Sequence, residues 1–449
     1  MKNWLPINRS QQDLLPPSVD ELLPQGHLAR YVVEVVESLG LSAFLSKYDQ
    51  RARGSHPYHP SLLISLLIYG SATGVMSSRK IERACHFDLA FRFIASHHRP
   101  DHDTIASFRR RHLKELGVIF VDVLLIAKEM GFTRMGVVTI DSTKMKANAS
   151  RHSAVSLQRA NESKERLEAE VEELLKKGEE ADNAPSPEGL DIPAEIALRR
   201  KRADALSQAI VAIHARKAKA EAEAYEEALE KNAREAEDAV RNRKKIPPIP
   251  EPPTGGPKSN DQHNFTDPDS RIMPDKGGFT QAYSALASVD AESMLIVGQH
   301  ISQRANDKKE FLPALRSIPS KLGRPAAAAL DAGFASAENF NVPDIDVYIA
   351  PGRVRKRRTV EDLFQPPVTG PPPPGATPSE IMRHKLTTEK GKAIYRLRKM
   401  TVAPVFGIIK SAMGFRQFHL RGLEKVQGEW GMVCLAYNMR RLWKLAAEK

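Results

Sequence analysis

The chain has 449 residues, a net charge of +12 and two cysteines, Cys85 and Cys434. A chain of this length is too long for one ordinary hydrophobic core, so we expect two or three domains. Two cysteines exclude a disulfide framework, lack the spacing of metal ligands and suit a reducing cytoplasm. The sequence lacks a signal-peptide core and any run near ~20 apolar residues, which excludes a membrane span and predicts a soluble cytoplasmic protein.

The first 130 residues are predicted to form a helical domain. Apolar residues recur at helical spacing over 28–36 and over 62–68. A further helical segment, residues 103–116, carries Arg109 and Arg110. Consecutive helices with basic faces predict a helix-turn-helix-like contact with DNA. An ordinary helical bundle with a charged surface explains the segment equally well.

Two short apolar runs each end on a carboxylate. Residues 137–141 read Val-Val-Thr-Ile-Asp, which is typical of a buried strand, and residues 326–330 form a second run that ends on Asp331. Asp141 and Asp331 at the ends of two strands of one sheet could share a divalent metal. Alternatively, each Asp caps the turn that follows its strand. The pair, taken with the rest of the chain, favours the metal site.

A different composition marks residues 156–243, which are rich in Ala, Glu, Lys and Arg and almost lack aromatic residues. This composition is typical of long helices or a coiled coil, and Pro and Gly within 183–189 predict a break into an antiparallel hairpin. A proline tract at 246–253 then leads back to globular sequence. We therefore predict that residues 153–257 form a helical-hairpin insertion with a proline-rich linker, whose alternating charges face solvent.

After the insertion, strand and helix patterns alternate. Paired strands are predicted over 282–289 and 294–297, a helix over 307–317 and a further strand over 346–350. Basic and then proline-rich sequence at 353–378 predicts a surface loop.

Almost all of the net charge lies near the C-terminus. Between Met382 and Lys444 there are 14 Lys or Arg and three Asp or Glu, which leaves 53 basic and 52 acidic residues in the rest of the chain. A concentrated basic segment predicts a polyanionic partner, most often nucleic acid. The alternative is a solvated cationic face that aids solubility.

The order of these elements resembles the RNase H-like fold of DDE transposases from bacterial insertion sequences. The resemblance covers almost the whole chain. Its motifs are Tyr58-His59-Pro60, Ser77-Ser78-Arg79, residues 100–105, Asp141-Ser142-Thr143-Lys144, residues 264–273, Asp331-Ala332-Gly333-Phe334, and residues 395–410, 414–418 and 421–423.

This resemblance implies an α/β protein with an RNase H-like mixed-sheet catalytic core at residues 131–152 and 258–449, an α-helical N-terminal domain at 1–130 and a helical coiled-coil insertion. It implies a homodimer that binds double-stranded DNA, namely the terminal inverted repeats of a mobile element and a target. With Mg²⁺, or Mn²⁺ as an alternative, the protein would cut the DNA ends and join their 3′ hydroxyls to target DNA. It would be cytoplasmic, and nucleoid-associated when bound to DNA.

One position departs from the family pattern. The family reads Val-Glu-Pro-Val-Phe-Gly around Val402, whereas here Ala403 stands between Val402 and Pro404. The resemblance assigns Asp141 and Asp331 as catalytic metal ligands, and the missing glutamate as the third. Intact motifs on both sides favour a deliberate inactivating substitution over natural decay. We therefore expect a chain that binds DNA but does not cleave it.

The basic segments and the resemblance together assign the DNA contacts. We expect these contacts from Arg109, Arg110, Lys144, Tyr395, Arg398, Lys410, Arg416, Arg421 and Lys425. Two other functions stay open. A non-catalytic DNA-binding regulator derived from a transposase fits Ala403, whereas a structural nucleic-acid scaffold leaves the two aspartates unexplained.

Overall fold

The computed structural model describes residues 18–46, 57–181, 191–243, 245–275, 277–352 and 367–448. The chain divides into two compact units, Met1–Lys146 with Ala282–Lys449, and Ala147–Gln281. The predicted insertion, 153–257, lies within the second unit. The predicted break at 183–189 and the first part of the loop at 353–378 lie outside the described residues.

The elements are numbered along the chain. The strands are β1 Val137–Lys146, β2 Ala154–Ser156, β3 Gln262–Asn264, β4 Arg271–Asp275, β5 Gly278–Asp290, β6 Ile296–Ser302, β7 Ala327–Leu330 and β8 Asp346–Ile349. The helices before the insertion are α1 Val19–Leu22, α2 Leu28–Ser38, α3 Ser42–Leu45, α4 Pro60–Thr73, α5 Ser78–Phe87, α6 Leu89–Ile94, α7 His102–Arg111 and α8 Leu113–Glu129. The later helices are α9 Leu157–Ala181, α10 Ile192–Arg241, α11 Phe311–Arg316, α12 Pro378–Thr387, α13 Glu389–Met400, α14 Val402–Gly407 and α15 Leu423–Ala447.

Capping residues set the starts of the N-terminal helices. His59 Nδ1 accepts the N–H of Ser61 (3.3 Å) ahead of α4, and Asp101 accepts the N–H of Thr104 (2.8 Å) ahead of α7. Helix α4 is apolar and buried along most of its length, and it packs against α2 and α15. The helical segment predicted over 103–116 is in fact two helices, α7 and α8, that meet at His112.

The sheet of the first unit has the strand order β6-β5-β1-β7-β8. Strands β6, β5 and β1 are antiparallel neighbours, whereas β7 and β8 run parallel to β1. This order and these directions are those of an RNase H-like sheet, so the predicted α/β fold class is confirmed. Ile140 on β1 pairs with Leu330, the last residue of β7, so the next residues, Asp141 within β1 and Asp331 just after β7, are neighbours.

Several predicted elements have different bounds in the structure. Strand β1 continues beyond Asp141 to Lys146, so Asp141 lies inside the strand and not at its end, and β5 is longer than the predicted 282–289. Strand β6 begins at Ile296 rather than at residue 294, because Met294 has a positive φ (61°) in the turn after β5. The helix predicted over 307–317 is shorter, Phe311–Arg316. Pro313 has no N–H to bond the carbonyl of residue 309, so an earlier helical turn would lack that bond. Residues 307–310 instead form a turn, with the Glu310 N–H bonded to the Asp307 carbonyl (3.0 Å).

The C-terminal helices complete the first unit. Thr377 forms a capping box with Glu380 at the start of α12, and Thr388 caps α13. A π turn, Ile408–Ala412, follows α14. Helix α15 is buried over its central residues and packs against α4, α8 and β6. Its Asn438 side chain bonds both the N–H (2.9 Å) and the carbonyl (2.8 Å) of Ile296, which satisfies the backbone of β6 beyond its β5 partner.

The second unit contains the long helices that composition predicts. Helices α9 and α10 pack together through small and branched apolar residues, and Arg199 on α10 pairs with Glu170 on α9 (2.9 Å). Strands β2 and β3 form a short antiparallel ribbon, to which Arg216 donates a hydrogen bond at the Gln262 carbonyl (2.6 Å). The buried residues between the helices are Ala160, Leu167, Ala203, Leu206 and Ala209.

In the part of the chain that the structure describes, no single helix is long and apolar enough to cross a membrane. One bent pair, Pro60–Thr73 with Ser78–Phe87, meets the length and composition requirement only when its two helices are taken together across a 97° bend. Helix α4 of this pair is buried in the first unit over most of its residues.

Candidate active site

Asp141 and Asp331 are brought together by the parallel pairing of β1 and β7. Asp141 Oδ1 accepts the N–H of Ser142 (2.7 Å). Asp331 Oδ1 accepts the N–H of Gly333 (2.8 Å), so Asp331 caps the 3-10 turn Ala332–Phe334, as the alternative interpretation of that residue predicts. In each carboxylate, one oxygen therefore has a backbone donor that fixes its direction at the sheet edge.

The charge state of Asp141 depends on its neighbours. Burial raises the pKa of Asp141 from 3.8 to about 6, and the negative charges of Asp331 and Asp307 add to the rise. The Ser142 N–H and the Arg398 guanidinium, whose Nη1 lies 3.7 Å from Asp141 Oδ2, act in the opposite direction. A group with such a pKa is partly protonated below neutral pH, so metal binding at Asp141 would have to displace a proton there.

Asp141→Asn is expected to stabilise the metal-free protein at about pH 7.5, by roughly 1–3 kcal/mol. The raised pKa means that the stability contributed by protonated Asp141 is fully present below about pH 4 and is lost as the pH rises through about 6. The gain from Asn should therefore disappear towards pH 4. Urea unfolding of both proteins in a metal chelator, at several pH values, measures it. A gain that is equal at both ends of the range would contradict the raised pKa.

A third carboxylate, that of Asp307, also belongs to this edge of the sheet. Its Oδ2 lies 3.4 Å from the place where a Cβ on Gly333 would stand, and Asp331 Oδ1 lies 2.9 Å from the same place. Burial raises the pKa of Asp307, Lys144 and Ser142 lower it, and the charge of Asp331 raises it further. Asp307 was not predicted as a site residue, because the sequence pattern indicated that it begins a helix.

Position 403 lies on a helical stretch that runs along β1. Before it, Thr401 Oγ1 hydrogen-bonds Thr139 Oγ1 (2.7 Å). After it, the Lys410 ammonium donates to Thr143 Oγ1 and to the Lys144 carbonyl (3.2 Å). These contacts fix the helical stretch to β1 at Thr139, two residues before Asp141, and at Thr143, two residues after it. Ala403 is exposed, so its methyl group points away from the core and offers no oxygen to a ligand.

The residues present suit a hard divalent cation better than a soft one. Carboxylate oxygens are the ligands that Mg²⁺ and Mn²⁺ prefer, and no thiol or imidazole is among the contacts described for Asp141 and Asp331. Asp307 Oδ1 is buried, has no hydrogen-bond donor among the described residues and forms an ion pair with the Lys144 ammonium 3.7 Å away. Within the same residues, no group of three or more His, Cys, Asp or Glu is arranged so that it could hold a metal ion.

Four predicted DNA-contact residues lie close to the Asp141 edge. Besides Arg398 and Lys410, these are Lys144 and Tyr395. The Lys144 ammonium bonds Ser284 Oγ (2.9 Å) and lies 3.7 Å from Asp307 Oδ1. The Arg398 guanidinium lies 5.6 Å from the centre of the Tyr395 ring, which packs on the apolar face of β7 and β8.

The other predicted DNA-contact residues lie farther along the surface. Arg110 and Lys425 line one cleft of about 480 Å³, together with Arg111 and Lys114. Arg416 is exposed and donates from Nε to the Lys410 carbonyl (3.0 Å), and Arg421 is also exposed.

Arg109 is placed differently from its neighbours. Its Nη1 donates to the Met76 carbonyl (3.3 Å), and its Nε is buried without a hydrogen-bond partner among the described residues. Burial lowers its pKa, whereas the nearby Glu429 carboxylate raises it. This placement supports packing between helices more than contact with a ligand. Glu429 is itself buried and accepts the backbone N–H groups of His419 and Leu420, so it lies outside the aspartate cluster.

Two family models match the chain. One, described as "Transposase domain (DUF772)", matches residues 17–111, and the other, described as "Transposase DDE domain", matches residues 376–443. Both matches support a DDE transposase. The first match covers helices α1 to α7, and the second covers the stretch that carries Arg398, position 403 and Lys410. Comparison of the chain with curated proteins and with solved structures gave no match.

Proposed function

We propose that this transposase binds the terminal inverted repeats of an insertion sequence, and that its fold cleaves those ends and joins them to target DNA with a divalent metal. The observation that carries this proposal is the parallel register of β1 and β7, which sets Asp141 and Asp331 side by side next to the helical stretch of position 403. A carboxylate at each of these three places fits the metal-binding acids from which the DDE family takes its name.

Each residue has a distinct task in the proposed reaction. A bound Mg²⁺ or Mn²⁺ ion would supply activation of the attacking water or hydroxyl and stabilisation of the leaving oxygen. Asp141 and Asp331 hold their carboxylates at the sheet edge through the Ser142 and Gly333 N–H groups. Arg398, close to Asp141, limits the repulsion between the acids before a cation arrives.

The Ala403 side chain explains why this chain would bind DNA without cutting it. The backbone around position 403 is held against β1 by Thr401 and Lys410, which supports this position as that of the third acid. Without that carboxylate, Asp141 and Asp331 would have to hold a divalent ion with one protein ligand fewer. Contacts to the DNA backbone depend on cations elsewhere and would persist.

The proposed DNA-binding surface includes the exposed basic side chains of the C-terminal segment and the cleft that Arg110 and Lys425 line. Replacing Arg416, Arg421 and Lys425 together by glutamine should weaken DNA binding. It should also reduce the slope of log K against log salt by ~0.9 for each phosphate contact that is lost. Fluorescence anisotropy with a labelled duplex over a salt series measures both quantities.

A matched control is available at the other end of β7. Three exposed basic residues precede β7, namely Arg316, Lys321 and Arg324. Because Asp331 follows β7, these basic residues lie at the opposite end of the strand from the acidic residues. Glutamine at these three positions should leave the slope unchanged. Equal slopes for the parent and the C-terminal triple variant would reject the proposed DNA surface.

Homodimer formation is proposed for the second unit, because a transposase must hold two DNA ends. Helices α9 and α10 together provide long amphipathic surfaces, with exposed apolar side chains at Leu175, Leu198 and Val211. The protein would be cytoplasmic, and nucleoid-associated when bound to DNA.

A non-catalytic DNA-binding regulator is the second candidate function, and Ala403 is the observation that favours it. A transposase needs paired metal-binding carboxylates, whereas a regulator does not. Cleavage of an end-containing duplex after Ala403→Glu therefore separates the two functions.

A further inference from the structure

Helices α4 and α5 have the geometry of a helix-turn-helix. They meet at 97° across a four-residue turn, 74–77, that begins with Gly74. Gly74 has a φ of 84°, in the left-handed region that favours glycine. Two helices at such an angle, joined by a short turn that often contains glycine, are the arrangement in which DNA-binding proteins place the second helix in the major groove.

The turn between α4 and α5 is held by contacts inside the first unit. The buried Arg109 side chain of α7 donates from Nη1 to the Met76 carbonyl (3.3 Å). A Cβ on Gly74 would stand 3.2 Å from the Met413 carbonyl oxygen, so the turn lies against the backbone that follows the π turn. These contacts fix the direction in which α5 leaves α4.

Helix α5 has a buried face and an exposed basic face on opposite sides. Ile81 and Cys85 are buried, and α5 packs against α6 and α7. At 100° per residue, the exposed residues fall within about 120° of the circumference, centred opposite those two. These exposed residues, the α5 surface, are Arg79, Lys80, Arg83, His86 and Phe87. The α5 surface is about 12 Å long, which is comparable to the width of the major groove.

The acidic residues next to the α5 surface have partners elsewhere. Glu82 lies to the side of this surface, and its Oε2 pairs with His102 Nδ1 (2.8 Å). Asp88 follows α5 and accepts the N–H groups of Ala90 (2.9 Å) and Phe91 (3.1 Å) at the start of α6. No acid therefore shares the exposed face of α5 with its three Lys and Arg residues, and this face is complementary in charge to a polyanion.

Phe87 indicates that the partner of the α5 surface is a DNA groove. This residue is 82% exposed and is the last residue of α5. Burial of an exposed aromatic ring against an apolar group is favourable, and in the major groove such a ring packs on the C5-methyl group of thymine. Cationic side chains beside an apolar ring thus fit a groove in which phosphates border the edges of the bases.

We propose that α5 enters the major groove of double-stranded DNA, with Arg79, Lys80 and Arg83 against base edges and phosphates and Phe87 against a thymine methyl group. This inference rests on the proposed function, because it concerns the same DNA partner. It assigns the reading of sequence to α5, whereas the C-terminal segment supplies contacts to phosphates that do not depend on sequence. The buried Arg109 supports α5 by holding the turn before it.

Selection of bound duplexes from a random-sequence pool by the full chain, in a metal chelator that prevents cleavage, tests the proposal. The parent should enrich a defined sequence. Replacing Arg79, Lys80 and Arg83 together by glutamine should abolish this enrichment. Affinity for the enriched duplex should fall ~100-fold or more, since each lost base contact accounts for ~5-fold or more, and affinity for the unselected pool should fall less.

The matched control for this triple variant uses three other exposed basic residues of the first unit. Glutamine at Arg316, Lys321 and Arg324 should leave the enriched sequence and the affinity for it unchanged. Thermal unfolding of both triple variants verifies that they are folded. Equal losses of affinity for the enriched duplex and for the unselected pool in the α5 variant would overturn sequence reading by α5.

A second variant keeps every charge of the α5 surface. Phe87→Ala should weaken binding to the enriched duplex ~5-fold or more and leave binding to the unselected pool unchanged. Phe279→Ala is its control, because Phe279 is also an exposed phenylalanine (65%), at the start of β5. It should change neither affinity. Parent-like binding by Phe87→Ala would overturn the proposed contact of this ring.

The failure of this inference and the failure of the proposed function are distinguishable. Parent-like enrichment by the α5 triple variant, or a parent chain that binds DNA without enriching any sequence, would overturn the role of α5 and leave the proposed function intact. Absence of DNA binding by the parent chain would overturn both.

Discussion

Ala403→Glu is expected to produce magnesium-dependent cleavage of DNA that contains the element ends. The helical stretch at position 403 is held along β1 by the Thr401–Thr139 and Lys410–Thr143 contacts, so a glutamate there would project from a backbone already in place. Ala403 is exposed, and the larger side chain would not have to enter the core. The gain should exceed the ~100-fold that even outer partners of metal ligands contribute. Gel analysis of a labelled end duplex measures the rate.

The same restoration combined with Asp141→Ala or Asp331→Ala should not cleave, because the other metal ligands are then removed. DNA affinity should change little in any of these variants, since it depends mainly on cationic contacts to the backbone. Ca²⁺ should support binding without efficient turnover, because its looser coordination does not impose the octahedral geometry of Mg²⁺. Cleavage by the unmodified chain at the rate of the Glu variant would show that another residue completes the site.

Trp430→Ala is expected to destabilise the first unit by ~3–5 kcal/mol. Trp430 is fully buried on α15, its ring centre lies 6.4 Å from those of Phe406 and Phe415, and its Nε1–H donates to the Leu286 carbonyl of β5 (2.9 Å). The substitution would leave a cavity between helix and sheet and remove the indole hydrogen bond to the Leu286 carbonyl. The urea midpoint, followed by far-UV circular dichroism, measures the loss.

Trp443→Ala is the matched control on the same helix. Trp443 also donates its Nε1–H to a carbonyl, that of Gly26 (2.9 Å), but its side chain is partly exposed. The same substitution there removes a similar hydrogen bond and much less buried surface, so its effect should be smaller, on the order of 1 kcal/mol. Equal losses at both positions would contradict a core role for Trp430.

The placement of Asp141 beside Asp331 was predictable from sequence, because each follows a short apolar run typical of neighbouring buried strands. The continuation of β1 from Asp141 to Lys146 was not, because the polar residues after Asp141 do not read as a buried strand. The position of Asp307 was not predictable either. No periodicity distinguishes an acid in a turn from an acid at the start of a helix, and its approach to Gly333 depends on tertiary packing. Only the lack of an N–H at Pro313 indicates in the sequence that the helix begins later.

Arg109 illustrates a limit of another kind. Three consecutive basic residues on a helix spread over about 200° of its circumference, so they cannot all face one partner. Ile105 and Phe108 on α7 are buried, which turns Arg109 inward and leaves Arg110 and Arg111 exposed. The charge run alone gave no indication of which arginine would pack inside. The apolar residues of the same helix carried that information.

The π turn after α14 makes the chain length between position 403 and Lys410 a geometric requirement. The Met413 N–H bonds the Ile408 carbonyl, five residues back (2.9 Å), so this turn holds one residue more than an α-helical turn. Deleting one residue from 404–409 would move Lys410 one position back along the helical stretch, a rotation of about 100° about its axis. Lys410 would then swing away from Thr143 and release the helical stretch from β1. Insertions and deletions should therefore be tolerated in the second unit long before they are tolerated between these two positions.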